Sequence, residues 1–304
     1  MTTLAEKLRA AREACAVGPV QTRGILHAAG KDAKDYLHRM STQDLNRLRP
    51  GESAYAAFLS AKGHLLAEGH VLAQEDGLLL EADPRTLPDA RVHLERLVIM
   101  DDVAFEDLSE ALRIVPVLGP EAALRLEGYA PGAPRIAHER RGAPGIDVLL
   151  PPHEAEALRA ELVAEGAVAL DDADLDALRI LAGVPRFGAD VDASRLPMEA
   201  GLTRAAISFS KGCYIGQEVV LRATARGHLQ RGLVQLALPA GAGPGTKLTA
   251  AGQEVGVVTS AAETPEGRIG LGYLRRAHWR CGAVVDADGE PATVRRVIVE
   301  EPEL

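Results

Sequence analysis

Apolar positions in the first hundred residues switch between two periods, and the switches mark the elements. Residues 24–28 form a strand-like run that stops at Gly30-Lys31-Asp32, after which Ala33, Tyr36, Leu37 and Met40 recur at helical spacing. Residues 53–59 and 64–73 read as two strands joined through Ala61-Lys62-Gly63, a hairpin with a short glycine-containing loop. A third strand over 77–82, a helix over 85–97 and a strand near Val103 follow. No G-x-G-x-x-G turn accompanies them, so the pattern is mixed α+β and not a dinucleotide fold.

A second group of the same texture comes next. The apolar run 112–118 leads through Gly119-Pro120 into a helix containing Ala122, Ala123 and Leu124, and a strand over 146–150 precedes a helix over 154–165. Two such groups suggest two related α+β subdomains. Beyond Arg231 the pattern changes to short strands at 233–238, 247–250, 254–260, 268–274, 283–286 and 292–299, separated by turns rich in Gly, Pro and Asp. That spacing predicts a small antiparallel barrel, with the boundary between about Arg226 and Arg231.

Composition narrows the function classes. At 304 residues with 47% hydrophobic and 25% charged content the chain can bury two or three cores. The first fifteen residues carry charges throughout and read as an amphipathic helix without a signal-peptide core. No run reaches the roughly 20 apolar residues of a membrane span. Three isolated cysteines, Cys15, Cys213 and Cys281, fit a reducing cytoplasm better than a disulfide framework. A net charge of -9 argues against an extended nucleic-acid surface, yet Arg204, Lys211, Arg222, Arg226 and Arg231 stand against the single acid Glu218 between Ala200 and Gln235. This stretch reads either as an anion site or as a solvated helix face whose arginines pair with acids elsewhere.

Lys211-Gly-Cys-Tyr-Ile-Gly-Gln-Glu218 is the most chemically loaded segment. A lysine two residues before Cys213, and a helix expected from about Gly216, are the influences that favour a thiolate. A buried structural thiol is the alternative. His228 is a candidate base for a Cys–His pair, although no residue can be assigned to orient it. Thr246 between Gly245 and Lys247 breaks the phosphate-loop order, and the nine histidines show no paired ligand spacing, so a resident metal is not expected.

The same eight residues resemble the signature of the YgfZ-type folate-binding proteins, relatives of the glycine-cleavage T-protein that support iron–sulfur enzymes and, in some bacteria, tRNA modification. Gly30-Lys-Asp-Ala-Lys-Asp-Tyr-Leu37, Thr42-Gln-Asp44, Pro50-Gly51 and Lys62-Gly63 are similar to the family's opening segment. Gly183-Val-Pro-Arg-Phe-Gly188, Leu196-Pro-Met-Glu-Ala-Gly-Leu202 and Gly227-His-Leu-Gln-Arg231 flank the signature as the family pattern expects.

The resemblance implies an α+β folate-binding region over 1–228, built of ferredoxin-like pieces around a central cavity, and a C-terminal β-barrel over 229–304. It implies tetrahydrofolate or another reduced folate as cofactor. Glu199 would pair with the pterin, Arg231, Arg226 or Arg222 would hold the glutamate tail, and Tyr55 and Phe187 would be cavity walls. Cys213 and Lys211 would carry the chemistry. Asp89 lies near the place of the T-protein's transfer-linked aspartate, but Glu81-Ala-Asp-Pro departs from the T-protein's asparagine-alanine step. The implied role is that of a cytoplasmic accessory factor for iron–sulfur cluster assembly or repair, whose partners are iron–sulfur enzymes or assembly proteins and whose link to tRNA is indirect. A folate-dependent aminomethyl or methyl transferase is the alternative.

Overall fold

The computed structural model describes residues 2–226 and 229–300, with only the backbone described at 224–226. Helix α1 (Leu4–Glu13) is opened by a capping box in which Thr3 and Glu6 satisfy each other's backbone N–H groups. It leads into the two-residue strand β1 (Ala16–Val17). The next strands and helices, β2 (Gly24–Ala29), α2 (Ala33–Met40), β3 (Ser53–Leu59), β4 (Leu65–Gln74), β5 (Gly77–Ala82), α3 (Leu87–Arg96) and β6 (Ala104–Asp107), lie within a residue or two of the expected ranges. They form an antiparallel sheet of order β3-β4-β5-β2-β6.

A second five-stranded sheet takes β7 (Arg113–Leu118), β8 (Arg135–His138), β9 (Gly145–Leu150) and β10 (Val168–Ala169) together with β1, in the order β10-β1-β7-β9-β8. Helices α4 (Ala122–Arg125) and α5 (Pro152–Ala164) belong to this half of the chain. The helix α6 (Asp172–Ala182) and the strand β8 were not foreseen from the sequence. Asp171 and Asp174 form the capping box of α6, and Gly183 ends it in the left-handed conformation at φ 73°.

Two short helices, α7 (Thr203–Ala206) and α8 (Gln217–Arg226), lead to the barrel. Six strands close it in the order β11-β14-β13-β12-β15-β16. They are β11 (Arg231–Ala237), β12 (Lys247–Ala250), β13 (Gln253–Thr264), β14 (Gly267–Arg275), β15 (Val284–Ala287) and β16 (Glu290–Val297). The sequence reading cut β13 short at Ser260; pairing with β14 continues to Thr264, across a register shift between Val258 and Ser260.

Alternation along the strands explains how the two sheets stack. In the first sheet Leu26, Phe58, Val71, Leu78 and Leu80 turn to one face, where they pack with Tyr36, Leu37, Leu87 and Leu94 of α2 and α3. In the second, Val115, Val117 and Val148 pack with Ala155, Leu158 and Leu162 of α5. The opposite faces meet through Ile25, Leu72 and Leu79 from one sheet and Ile114, Ile136 and Leu149 from the other.

A charged cavity between the two sheets

The inward-facing rows do not stay apolar. Two residues along from five of these six core positions, within the strand or directly beside it, the same face carries a titratable group. Leu72 gives way to His70 and Glu68 on β4, and Leu79 to Glu81 on β5 and then Asp83. Ile25 on β2 gives way to Arg23, Ile136 to His138 on β8, and Leu149 to Asp147 on β9. These groups line a cavity of about 630 Å³ with Tyr55, Arg140, Arg141 and Phe187. Residues at α6 spacing, Asp172, Leu175, Asp176 and Arg179, form another wall with the segment 184–189.

Strand register brings the first group together. Tyr55 pairs with His70 and His70 with Glu81, so one row crosses β3, β4 and β5. Gly69 sits between the two polar residues of β4, where any Cβ would collide with the Glu81 carbonyl. Arg23 Nε donates to Glu81 Oε1 at 2.5 Å, and His70 Nδ1 lies 3.4 Å from Glu81 Oε2. Burial raises the Glu81 pKa, but Arg23 and His70 outweigh it and hold the carboxyl at about 2. Glu68 behaves oppositely. Burial, reinforced by the charges of Glu81 and Asp83, outweighs Arg23 and pushes its pKa up to about 8. Arg85 grips Asp83 with Nε and Nη2, each at 2.8 Å.

From the second sheet, Arg141 Nη2 donates to Asp147 Oδ2 at 2.8 Å and His138 Nε2 lies 3.2 Å from Asp147 Oδ1. Although burial opposes it, the attraction of Arg141 and His138 holds Asp147 ionised well below the usual carboxylate range. The His70 and His138 rings face each other across the sheets at 5.5 Å between centroids. Toward the barrel, Arg179 donates to Asp190 at 2.7 Å and to Ser260 of β13 at 2.9 Å, and Thr259 donates to Asp190 at 2.5 Å.

Several polar atoms in this cavity are buried without a hydrogen-bond partner: Tyr55 Oη, His138 Nδ1, Arg140 Nη1 and Arg141 Nε; His138 Nε2 and Asp147 Oδ1 have only each other, at ion-pair distance. Such atoms are rare in folded chains because each costs roughly 1–3 kcal/mol, and a polar ligand with matching donors and acceptors relieves them. No group of three or more His, Cys, Asp or Glu side chains suited to a metal ion occurs among the described residues.

The residues singled out from the sequence fall in several places. Tyr55 and Phe187 line the cavity. Glu199 does not; it is buried beside the barrel and accepts from Arg231 Nε at 3.2 Å and from Leu196 N at 3.4 Å. Arg222 is exposed on α8 and pairs with Glu218 one turn away, the acid of its own stretch and not one from elsewhere. Asp89 is exposed in the first turn of α3, whereas Asp83, directly after β5, enters the cavity. The Arg226 side chain and His228 lie outside the described residues.

Cys213 is exposed, and none of residues 208–218 lines the cavity. Lys211 is buried beneath this loop, with Nζ donating to the carbonyls of His38, Ser41 and Gln43 at the C-terminal end of α2. All three of its hydrogens are therefore engaged with backbone. Burial pushes its pKa down to about 8. The expectation that Lys211 faces the thiol is replaced by an anchoring role: the lysine fixes the loop that displays Cys213. Gly216 packs tightly over Leu59, Ser60 and Gly63 of the β3–β4 hairpin, which completes the anchorage.

Residues 1–133 match the GCVT N-terminal domain model and residues 230–298 the CAF17 C-terminal β-barrel domain model. The chain is a CAF17/YgfZ-type member of the GcvT-like proteins. Its curated relatives are named as transferases and aminomethyltransferases. A chloroplast transferase of Arabidopsis thaliana is 26% identical over 83% of this YgfZ-type chain, which spans only 63% of that protein. An aminomethyltransferase of Rubrobacter xylanophilus is 28% identical over 84% of this chain and 74% of its own length. The crystal structure of aminomethyltransferase T of the glycine cleavage system from Bartonella henselae superposes with a TM-score of 0.85 at 21% identity, covering 99% of this chain and 90% of that one, and so shares its fold. No helix among the described residues is long and apolar enough to cross a membrane.

Proposed function

We propose that this chain binds a reduced folate in the cavity between the two sheets and acts in the cytoplasm as an accessory factor for iron–sulfur cluster assembly or repair, with Cys213 as its working thiol. The observation that carries the folate reading is the set of unpartnered buried polar atoms on Tyr55, His138, Arg140 and Arg141. A pterin supplies ring nitrogens, an amino group and a carbonyl to them, while Phe187 and Tyr55 offer apolar surface. Arg85 and Arg186 line the cavity with side chains 59% and 51% exposed, which makes them the candidates for binding an anionic glutamate tail. On this reading the Glu199–Arg231 pair supports the start of β11, a change from the direct pterin contact expected from the sequence.

The thiol half of the proposal rests on the exposure of Cys213 and the buried lysine that holds its loop. Partners are iron–sulfur enzymes or their assembly proteins, and any effect on tRNA passes through cluster-dependent modifying enzymes. Calorimetric titration with 5-formyltetrahydrofolate tests the first half; absence of binding sinks it. For the second, Cys213→Ala should bind the folate normally yet fail to restore a cluster-dependent enzyme. Full restoration removes the thiol from the reading.

A transferase reading is favoured by one observation, the aminomethyltransferase relatives that align over most of this chain. It predicts turnover of a labelled one-carbon unit from the folate, which the accessory role does not.

A further inference from the structure

The first sheet treats its two outer strands differently. Along β3 the edge is covered, because Ser41 bridges to Phe58 and Thr42 bonds to Ala57 through both its backbone and its hydroxyl. Strand β6 closes the other side and pairs with β2, Ala104 opposite Ala29 and Glu106 opposite His27. Leu108 N donates to the Ile25 carbonyl and the Asp102 carbonyl accepts from Asp32 N, so the even-numbered residues carry the ladder. The backbone groups of Val103, Phe105 and Asp107 therefore point away from the sheet, with no backbone partner there among the described residues. At about 3.4 Å per residue, positions 103–107 present about 17 Å of open edge.

We propose that this edge docks an extended, lysine- or arginine-bearing segment of a partner protein, which adds to the sheet as a further strand beside β6. Such docking needs neither folate nor Cys213, so it stands apart from the reading above.

An open edge is ordinarily guarded, because it invites pairing with any exposed strand. Here the guard has one sign. Residues 101–110 hold Asp101, Asp102, Glu106, Asp107 and Glu110 and no lysine or arginine. Arg39 pairs with Asp101, Arg113 stands 3.8 Å from Glu110 and Arg91 attracts Asp107. Asp102 and Glu106 are exposed, with no cation in ion-pair contact among the described residues. Two copies of β6 would lay one acidic stretch along another, which disfavours self-pairing, whereas a basic segment is attracted by the same charges.

Charge alone does not account for the surface. Ile99 and Met100, directly before the strand, are 87% and 93% exposed, and Val92 of α3 is 62% exposed. A guard against pairing has no use for large apolar side chains in water beside the edge. Side chains of an added strand would alternate between two faces. Those on the face of Ala104 and Glu106 meet a carboxylate, and those on the face of Val103 and Phe105 meet the apolar side that packs with α2 and α3. The segment that fits thus alternates basic and aliphatic residues.

The test titrates the full chain against a fluorescein-labelled peptide of alternating lysine and valine, followed by anisotropy. Two N-methylated peptides, one methylated at every valine amide and the other at every lysine amide, keep the charge but each lose one row of ladder donors. At least one of them should bind at least about tenfold more weakly. Amide exchange at Val103 and Phe105 should slow on binding, since these N–H groups have no backbone partner in the free chain. Asp102→Lys/Glu106→Lys, which changes two exposed side chains, should lose the lysine peptide and bind its glutamate–valine counterpart. Ile99→Ser/Met100→Ser should weaken binding by about three- to tenfold. No binding, undiminished binding of both methylated peptides, an unchanged charge preference in the lysine variant, or unchanged affinity in the serine variant overturns the inference. So does a concentration-dependent dimer in sedimentation that the peptide dissociates, because the occupant is then a second copy of this chain.

Discussion

Arg23 and Glu81 close an ion pair inside the cavity, Nε to Oε1 at 2.5 Å, with the glutamate side chain 5% exposed and the arginine 25%. The pair ties the residue before β2 to the last turn of the inward row on β5, and it decides which cavity acid is ionised. Arg23→Met leaves the buried Glu81 carboxylate with His70 as its remaining partner, at a cost of up to about 3–5 kcal/mol. Urea denaturation at pH 7 measures that loss. Acidification tests the same pair in the parent. Because the folded-state pKa of Glu81 is about 2, below its ordinary 4.5, the pair's contribution is complete above about pH 4.5 and disappears as pH falls through about 2.

Glu68 carries the opposite sign. Its folded pKa of about 8 lies above its ordinary value, so its contribution is complete below about pH 4.5 and is lost as pH rises through about 8. Glu68→Gln cannot ionise. Between pH 5 and 8.5 the variant should therefore lose less stability than the parent, by on the order of 1–3 kcal/mol for a buried charged group without full pairing. Denaturation midpoints taken across that range check the divergence, and parallel curves would contradict it.

Lys211 separates anchoring from thiol activation. Replacing it by methionine keeps the length and removes three donors from the carbonyls of His38, Ser41 and Gln43. Hydrogen bonds from a charged donor contribute about 1.5–3 kcal/mol each and are not fully additive, so a loss of about 3 kcal/mol is expected. Alkylation of Cys213 by iodoacetamide in the folded variant should stay within about twofold of the parent, since the ammonium is directed at backbone. A large fall in reactivity would restore Lys211 to the thiol's chemistry.

Much of the fold was legible in the sequence because its signals are local. The apolar runs of β3, β4 and β5, the Gly63 hairpin and the turn-rich barrel are all legible within a few residues. Helix α6 escaped because Asp171-Asp172-Ala-Asp174-Leu-Asp176 reads as a polar stretch, and the capping box that starts it was overlooked. The charged lining of the expected cavity is hidden for a related reason. Glu68, His70, Glu81 and Asp147 were passed over inside apolar strands, although a charged residue at an inward position is costly unless partnered and is itself the signal. What no local pattern contains is the pairing of the two sheets, which brings Asp147 and His138 opposite Glu81 and His70. The Cys213 signature is the strongest local pattern in the chain, yet it lies outside the cavity lining and its lysine faces the end of α2.

Arg179 links the cavity wall to the barrel. From α6 it reaches Asp176 at 2.7 Å, Asp190 at 2.7 Å and Ser260 at 2.9 Å, and its side chain is 8% exposed. Arg179→Ala should cost about 3–5 kcal/mol, because it leaves Asp190 buried with its charge unpaired. Hydrogen exchange should show the loss concentrated in α6 and β13, with β3–β5 little changed.

Gly69 offers the most direct test of how the strands aim the cavity side chains. It pairs with Ala82, and a methyl group at this position meets the Glu81 carbonyl oxygen, a backbone atom that cannot move without breaking the β4–β5 ladder. Gly69→Ala therefore forces the two strands apart between Glu68 and His70. The expected cost is about 1–3 kcal/mol of overpacking, read from the thermal midpoint. Folate binding should weaken more than stability alone accounts for, since Glu68, His70 and Glu81 all depend on this register. A compensating Glu81→Gln would not rescue binding, because the clash is with the backbone oxygen and not with the carboxylate.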